Sequence, residues 1–293
     1  MVSFGLAAFV AIVSVASAYP TRGGGECNGL AEVYYPVQTC LGVDEYKYFS
    51  CNAPGIVSNS SCCYENYGVI MQTQFWDFNP DYLKGILKRT PERSYSSDVN
   101  QTFTIHGLWN DRCDGSYDQF CKPELEFTDS DNLEDVIVNQ FGRQDLYDLM
   151  IKYWINGTVA GSQSLWQHEY NKHGTCFNTL QPNCFLGPYT KFENAVAYYQ
   201  KAVEVWSGLP TYKFLEQADI VPTTDKKYNL SDVQNALAYG HHGKQVYVGC
   251  SQGAISEIWY YHEVRGNVLN GQYKATDTLT KSSCPGEVWY LPK

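Results

Sequence analysis

The chain has 293 residues, with 21 Lys and Arg against 31 Asp and Glu, giving a formal net charge of −10. That balance excludes a protein that tracks a nucleic-acid backbone through a basic stripe, because such binding rests on neutralised phosphates releasing counterions. One apolar run, residues 4–18, is too short to span a bilayer comfortably and no later run exceeds it, so the mature chain is expected to be soluble, with no membrane partner.

The run ends in Ala16-Ser17-Ala18, the small-x-small pattern of signal-peptidase cleavage, so residues 1–18 read as a signal peptide despite lacking Lys or Arg before it. Residues 19–39, with Gly23-Gly24-Gly25, read as a flexible leader or a propeptide. Residues 40–293 show no repeat or long polar linker and are expected to form a single domain. Eleven cysteines behind a secretory signal imply an oxidising compartment and a disulfide framework with one thiol left over. Asn59, Asn100, Asn156 and Asn229 each begin a glycosylation sequon, in keeping with a secreted glycoprotein.

Residues 69–76 and 102–106 are rich in β-branched and aromatic side chains and predict strands, with His106 at the end of the second and Gly107 turning the backbone. Residues 143–154 predict a helix. Phe192, Val196, Tyr199, Val203 and Trp206 recur at spacings of 4, 3, 4 and 3, the stripe of an amphipathic helix against a core. Residues 231–239 predict a further helix capped by Ser231, and residues 245–249 and 255–264 two strands joined by Ser251-Gln252-Gly253-Ala254. Strands and helices do not alternate regularly, which favours an α+β fold: a central antiparallel sheet packed with several helices. His241 and His242, between glycines, read as a solvated turn rather than a metal site, and His262 as a structural strand residue. The 24 tyrosines read as core and strand residues.

Chemistry concentrates in two segments, residues 103–109 and 166–176, which hold His106, His168 and His173 beside Glu169 and Lys172. Imidazole donates and accepts protons near neutrality, so paired histidines point to general acid–base work. On a helix, residues advance about 100° each, which stacks His168 over Lys172 and Glu169 over His173. A His-Glu-x-x-His zinc site would superpose its two imidazoles, whereas here they diverge by about 140°, and a lysine among them repels a cation and attracts an anion. A metallohydrolase built on His168, Glu169 and His173 is the rival that EDTA would stop.

The pair His-Gly-Leu-Trp and Trp-x-His-Glu-x-x-Lys-His-Gly-Thr-Cys closely resembles the two active-site segments of the ribonuclease T2 family, secreted RNA endonucleases that need no metal. Similarity runs from about Cys40 to the C-terminus and takes in the Cys62-Cys63 doublet, Trp-x-Asp-x-Cys after the first histidine, Cys250 and Cys284. The resemblance implies disulfides Cys40–Cys63, Cys51–Cys113, Cys62–Cys184, Cys121–Cys176 and Cys250–Cys284, with Cys27 unpaired. It implies single-stranded RNA as partner, DNA excluded for want of a 2′-hydroxyl, no cofactor, and location outside the cell or in a vacuole. Nothing in the sequence marks an oligomer, and a monomer is expected.

By the same resemblance His173 is the base and His106 the acid. Lys172 and Glu169, the latter protonated or not, stabilise the phosphorane, and His168 holds the phosphate. Trp109, Asp111 and Tyr117 form the pocket for the base 5′ to the cut, with a mild adenine preference. Asn110 stands where many members have proline. Gln74 and Leu165 are candidates for a second base site, with cleft-wall packing the alternative. Trp166 and Leu108 pack beneath the site. The acidic net charge fits an enzyme that grips one or two nucleotides at acid pH, where carboxylates neutralise and histidines charge. A catalytically silent binding glycoprotein is the remaining alternative, and no catalytic position is vacant to favour it.

Overall fold

A computed structural model of the chain describes residues 29–38, 47–52, 62–65, 67–85, 96–156 and 159–293. The expected signal peptide, Cys27, Cys40 and Asn59 lie outside the described residues. In chain order the strands are β1 (Val69–Phe75), β2 (Thr104–Asp111), β3 (Tyr228–Asn229), β4 (Tyr247–Ser251), β5 (Ala254–Arg265), β6 (Gln272–Thr276) and β7 (Glu287–Val288). The helices are α1 (Ser97–Asn100), α2 (Gln144–Tyr153), α3 (Val159–Lys172), α4 (Glu193–Ser207), α5 (Thr211–Glu216) and α6 (Leu230–Gly240).

The main sheet runs β2-β1-β5, and β4 and β6 share the far edge of β5; every pairing is antiparallel. The expected α+β class holds. The β4–β5 hairpin turns through Gln252 and Gly253, both at positive φ, the geometry that matches the twist of two antiparallel strands. All five residues of the expected α4 stripe are buried, and Trp206 donates its indole N–H to Phe103 C=O at 2.9 Å, tying the helix to the segment entering β2. Tyr170, Tyr198, Tyr199, Tyr260 and Tyr290 are fully buried, so much of the tyrosine content is core.

Three expectations change. β2 does not stop at His106 but continues to Asp111, with Gly107 paired to Thr73 inside the ladder. Helix α6 begins one residue before Ser231 and takes Asn229 at its N-cap position. His241 is buried rather than solvated, its Nε2 2.9 Å from Tyr261 C=O. His262 is buried within β5, as a structural residue should be.

Residues 29–38, within the segment expected as a leader, are held to the domain. Val37 is buried and bridges Phe185, Gln38 N–H donates to Cys184 C=O, and Ala31 N–H donates to Asp145 Oδ2. Disulfides join Cys51–Cys113, Cys62–Cys184, Cys121–Cys176 and Cys250–Cys284. Cys63 is also disulfide-bonded. Asn100, Asn156 and Asn229 are exposed.

Candidate active site

A bulge in β2 builds one wall of the site. Thr73 pairs with Gly107 and Gln74 with Ile105, so His106 is the extra residue that faces no partner on β1. In a regular strand His106 and Trp109 would lie on opposite faces; the inserted residue breaks the alternation. Ile105 and Leu108 accordingly enter the core, while His106, Trp109 and Asp111 remain partly exposed. Phe75 stacks on the His106 imidazole, centroids 3.8 Å apart at 20°, and Trp154 donates its indole N–H to His106 C=O at 2.8 Å.

The opposite wall is the end of α3. His173 N–H donates to Glu169 C=O at 3.0 Å, which carries the helical bonding one residue past Lys172 and sets Glu169 and His173 on one face, as the spacing predicts. His168 is exposed, and Lys172 is half-buried without an ion pair among the described residues. Tyr198 of α4 ties the two walls. Its hydroxyl lies 3.0 Å from Leu108 C=O and 3.3 Å from Glu169 C=O.

Glu169 and Trp109 join the pieces. The Glu169 side chain is 1% exposed, with Oε1 3.5 Å from His106 Nε2 and Oε2 accepting the Trp109 indole N–H at 2.6 Å. Burial raises its pKa, but His106, His173 and the Trp109 bond outweigh that and hold the carboxyl below its ordinary range. This favours the ionised form of Glu169 over the protonated alternative. The Trp109 ring stacks on His173, centroids 4.9 Å apart at 16°, and meets His106 edge-on at 4.8 Å.

His173 is 5% exposed, and neither ring nitrogen has a hydrogen-bond partner among the described residues. Burial pushes its pKa down to about 3; Glu169 opposes this, while Lys172, His106 and His168 add to it. Asp111 is pushed up to about 7 by desolvation.

Tyr117 sits on the loop after β2 and is 59% exposed. Arg112 bonds Asp118 across that loop, Cys113 joins Cys51, and Cys121 joins Cys176. Phe120 N–H donates to Lys172 C=O at 3.0 Å, so the loop is fastened to the C-terminal end of α3.

Gln74 does not face the cleft. It is fully buried, its Nε2 donating to Leu209 C=O at 3.1 Å and its Oε1 accepting from Thr211 Oγ1 at 2.5 Å, so its amide is spent on structure. Leu165 packs against the core, and Trp166 and Leu108 are buried as expected. Sequence reasoning missed Phe75, Trp154, Tyr198 and Trp259, the last lying 5.1 Å from Trp109 at 66°. None of the four carries a local sequence signal, because each meets the site through a tertiary contact.

The model for the Ribonuclease T2 family matches residues 67–282. The chain is 40% identical over 246 residues to Ribonuclease T2 of Aspergillus oryzae, covering 84% of this chain and 82% of that protein. It is 43% identical over 250 residues to Ribonuclease T2-like 1-A of Candida albicans, covering 83% of this chain and 57% of the longer relative. Among solved structures, that of Actibind, a T2 ribonuclease, superposes with a TM-score of 0.73 at 35% identity, covering 84% of this chain and 95% of that one. The match spans both walls of the cleft and the Cys121–Cys176 disulfide that braces them: this chain belongs to the ribonuclease T2 family.

Proposed function

We propose that the chain is an RNA endonuclease that cleaves single-stranded RNA through a 2′,3′-cyclic phosphate to 3′-phosphate ends, with His173 as base and His106 as acid. The observation that carries this is the shared Trp109 and Glu169: one indole contacts both imidazoles, and one carboxylate reaches His106 and that indole. Two groups so close in space can flank a single phosphorus.

RNA supplies its own nucleophile, so the protein needs only to take the 2′-hydroxyl proton and return one to the departing 5′-oxygen. Burial keeps His173 neutral in acid, where an ordinary imidazole would already be charged, so the base remains competent at low pH. Glu169, held ionised, faces the His106 imidazole across 3.5 Å and orients it. Lys172 offers its ammonium to the phosphorane, whose charge exceeds that of the diester, and exposed His168 holds the phosphate. After release of the 5′ product the roles reverse, with His106 activating water against the cyclic phosphate.

Trp109, Asp111 and Tyr117 receive the base 5′ to the cut. The chain acts as a monomer, outside the cell or in an acidic vacuole; its disulfides support an oxidising compartment. No helix among the described residues is long and apolar enough to cross a membrane.

The test incubates the purified chain with RNA and with DNA at about pH 5, in EDTA. Cyclic ends should appear from RNA alone, and His106→Ala or His173→Ala should each remove most activity while circular dichroism stays unchanged. RNA binding without cleavage would favour the silent glycoprotein, and inhibition by EDTA the metallohydrolase.

A further inference from the structure

The loop that carries Tyr117 and the segment that follows His173 line one open groove of about 850 Å³. Tyr67, Tyr117, Gln119, Lys122 and Thr175 are among its walls. It is continuous with the catalytic end of α3: Thr175 lies two residues beyond His173, its Oγ1 accepts from Cys121 N–H at 3.0 Å, and the Cys121–Cys176 disulfide closes the floor. A chain threaded past His173 and Tyr117 therefore has this groove as its path.

The groove's charge differs from that of the whole acidic molecule. Its one carboxylate among the described residues, Asp118, is bonded by Arg112 and by the Tyr67 hydroxyl. Lys122, exposed and without an ion pair among the described residues, is the cation left over. Tyr117 and the face of Tyr67 turned away from the Arg112 guanidinium offer stacking surfaces, Gln119 an amide for a base edge, and Lys122 a charge for a phosphodiester, the set that single-stranded nucleic acid requires. A glycan would use the rings and the amide but not the unpaired ammonium.

We infer that this groove is a further nucleotide subsite, holding the nucleotide 5′ to the one whose base is seated at Trp109, Asp111 and Tyr117. The inference rests on the ribonuclease reading above. It eases the conflict between a net charge of −10 and a polyanionic substrate, since a cation stands where one additional phosphate arrives.

The test compares an adenosine-containing dinucleotide with the same substrate extended by one nucleotide on its 5′ side. The extension should raise kcat/KM about tenfold, mainly through KM, as stacking of one base on an aromatic ring allows. In Lys122→Ala that gain should shrink several-fold, and the slope of log KM against log salt for the extended substrate should fall by about 0.7, the value for one phosphate on a single strand. Tyr67→Leu provides a second variant should Lys122→Ala misfold. No gain on 5′ extension, or a gain unchanged in both variants, overturns the subsite. Failure of the ribonuclease reading would appear separately, as no cleavage of either substrate. The subsite is then read by fluorescence titration with the 2′-deoxy trinucleotide, where equal affinity of the wild type and Lys122→Ala would reject it.

Discussion

Gly107 stands against the Glu169 carboxylate: a Cβ on this residue would lie 2.1 Å from Oε2 and 2.9 Å from Trp109 Nε1. Residue 107 is thus a glycine for space, not for turning. Gly107→Ala forces the carboxylate off Trp109 and changes its approach to His106. A misplacement of about 1 Å in an acid–base pair costs roughly 10²-fold in rate, and overpacking of this kind costs about 1–3 kcal/mol of stability. Steady-state kinetics and a thermal melt on the same variant should show kcat falling far more than the melt accounts for.

His173 links the site to acid stability. Its folded pKa of about 3 lies below the ordinary imidazole value, so between the two the unfolded chain binds a proton that the folded chain refuses. Stability therefore rises with pH across that window and is lost as pH falls from about 6.5 toward 3, at up to about 1.4 kcal/mol per unit. His241, pushed down to about 4 by burial, contributes with the same sign. His173→Gln should remove the His173 share, leaving the variant relatively more stable at pH 4 than at pH 7, by about 2–4 kcal/mol in urea titrations. The acid limb of wild-type kcat/KM should correspondingly lie below pH 4, because that ratio reports the free enzyme; a limb near 6.5 would show that His173 titrates as an ordinary imidazole.

Trp259 reaches His173 through a second ring. Tyr247 stacks on Trp259 at 4.1 Å, Trp259 meets Trp109 at 5.1 Å, and Trp109 stacks on His173 at 4.9 Å. Trp259→Ala removes the support behind Trp109 and should lower kcat about tenfold with KM less affected, the signature of an interaction felt in the transition state. Trp259→Phe, which keeps an aromatic face, should restore most of the loss. Equal falls in kcat and in folded fraction would reduce the residue to a packing role.

What the sequence revealed of this arrangement was the part governed by local periodicity. The i,i+4 pairing of Glu169 with His173 follows from 3.6 residues per turn, and α4 follows from its stripe. The bulge at His106 was not legible, because a single extra residue leaves composition unchanged and shows itself only against the partner strand. Trp259 was hidden for a related reason: it reaches Trp109 across the intervening strand β1, a relation fixed by register and not by spacing. Gln74 misled because it neighbours a site strand, yet its face belongs to the core, where Thr211 and Leu209 claim its amide.

If Asp111 contacts the base as proposed, base preference should depend on pH. Desolvation pushes its pKa up to about 7, so at pH 5 it is a neutral acid and at pH 8 largely a carboxylate. The neutral acid donates and accepts, which matches an adenine edge that presents an amino donor beside a ring-nitrogen acceptor. The carboxylate only accepts, which suits the paired N–H donors on the Watson–Crick edge of guanine. The ratio of kcat/KM for adenosine over guanosine dinucleotides should therefore fall by up to about tenfold between pH 5 and pH 8, within the range that one bidentate base contact discriminates. Asp111→Asn, which donates and accepts at every pH, should hold the adenine preference flat across the same range. If the wild-type ratio is as flat as that of Asp111→Asn, Asp111 does not titrate against the base, and preference must come from the shape of the pocket between Trp109 and Tyr117.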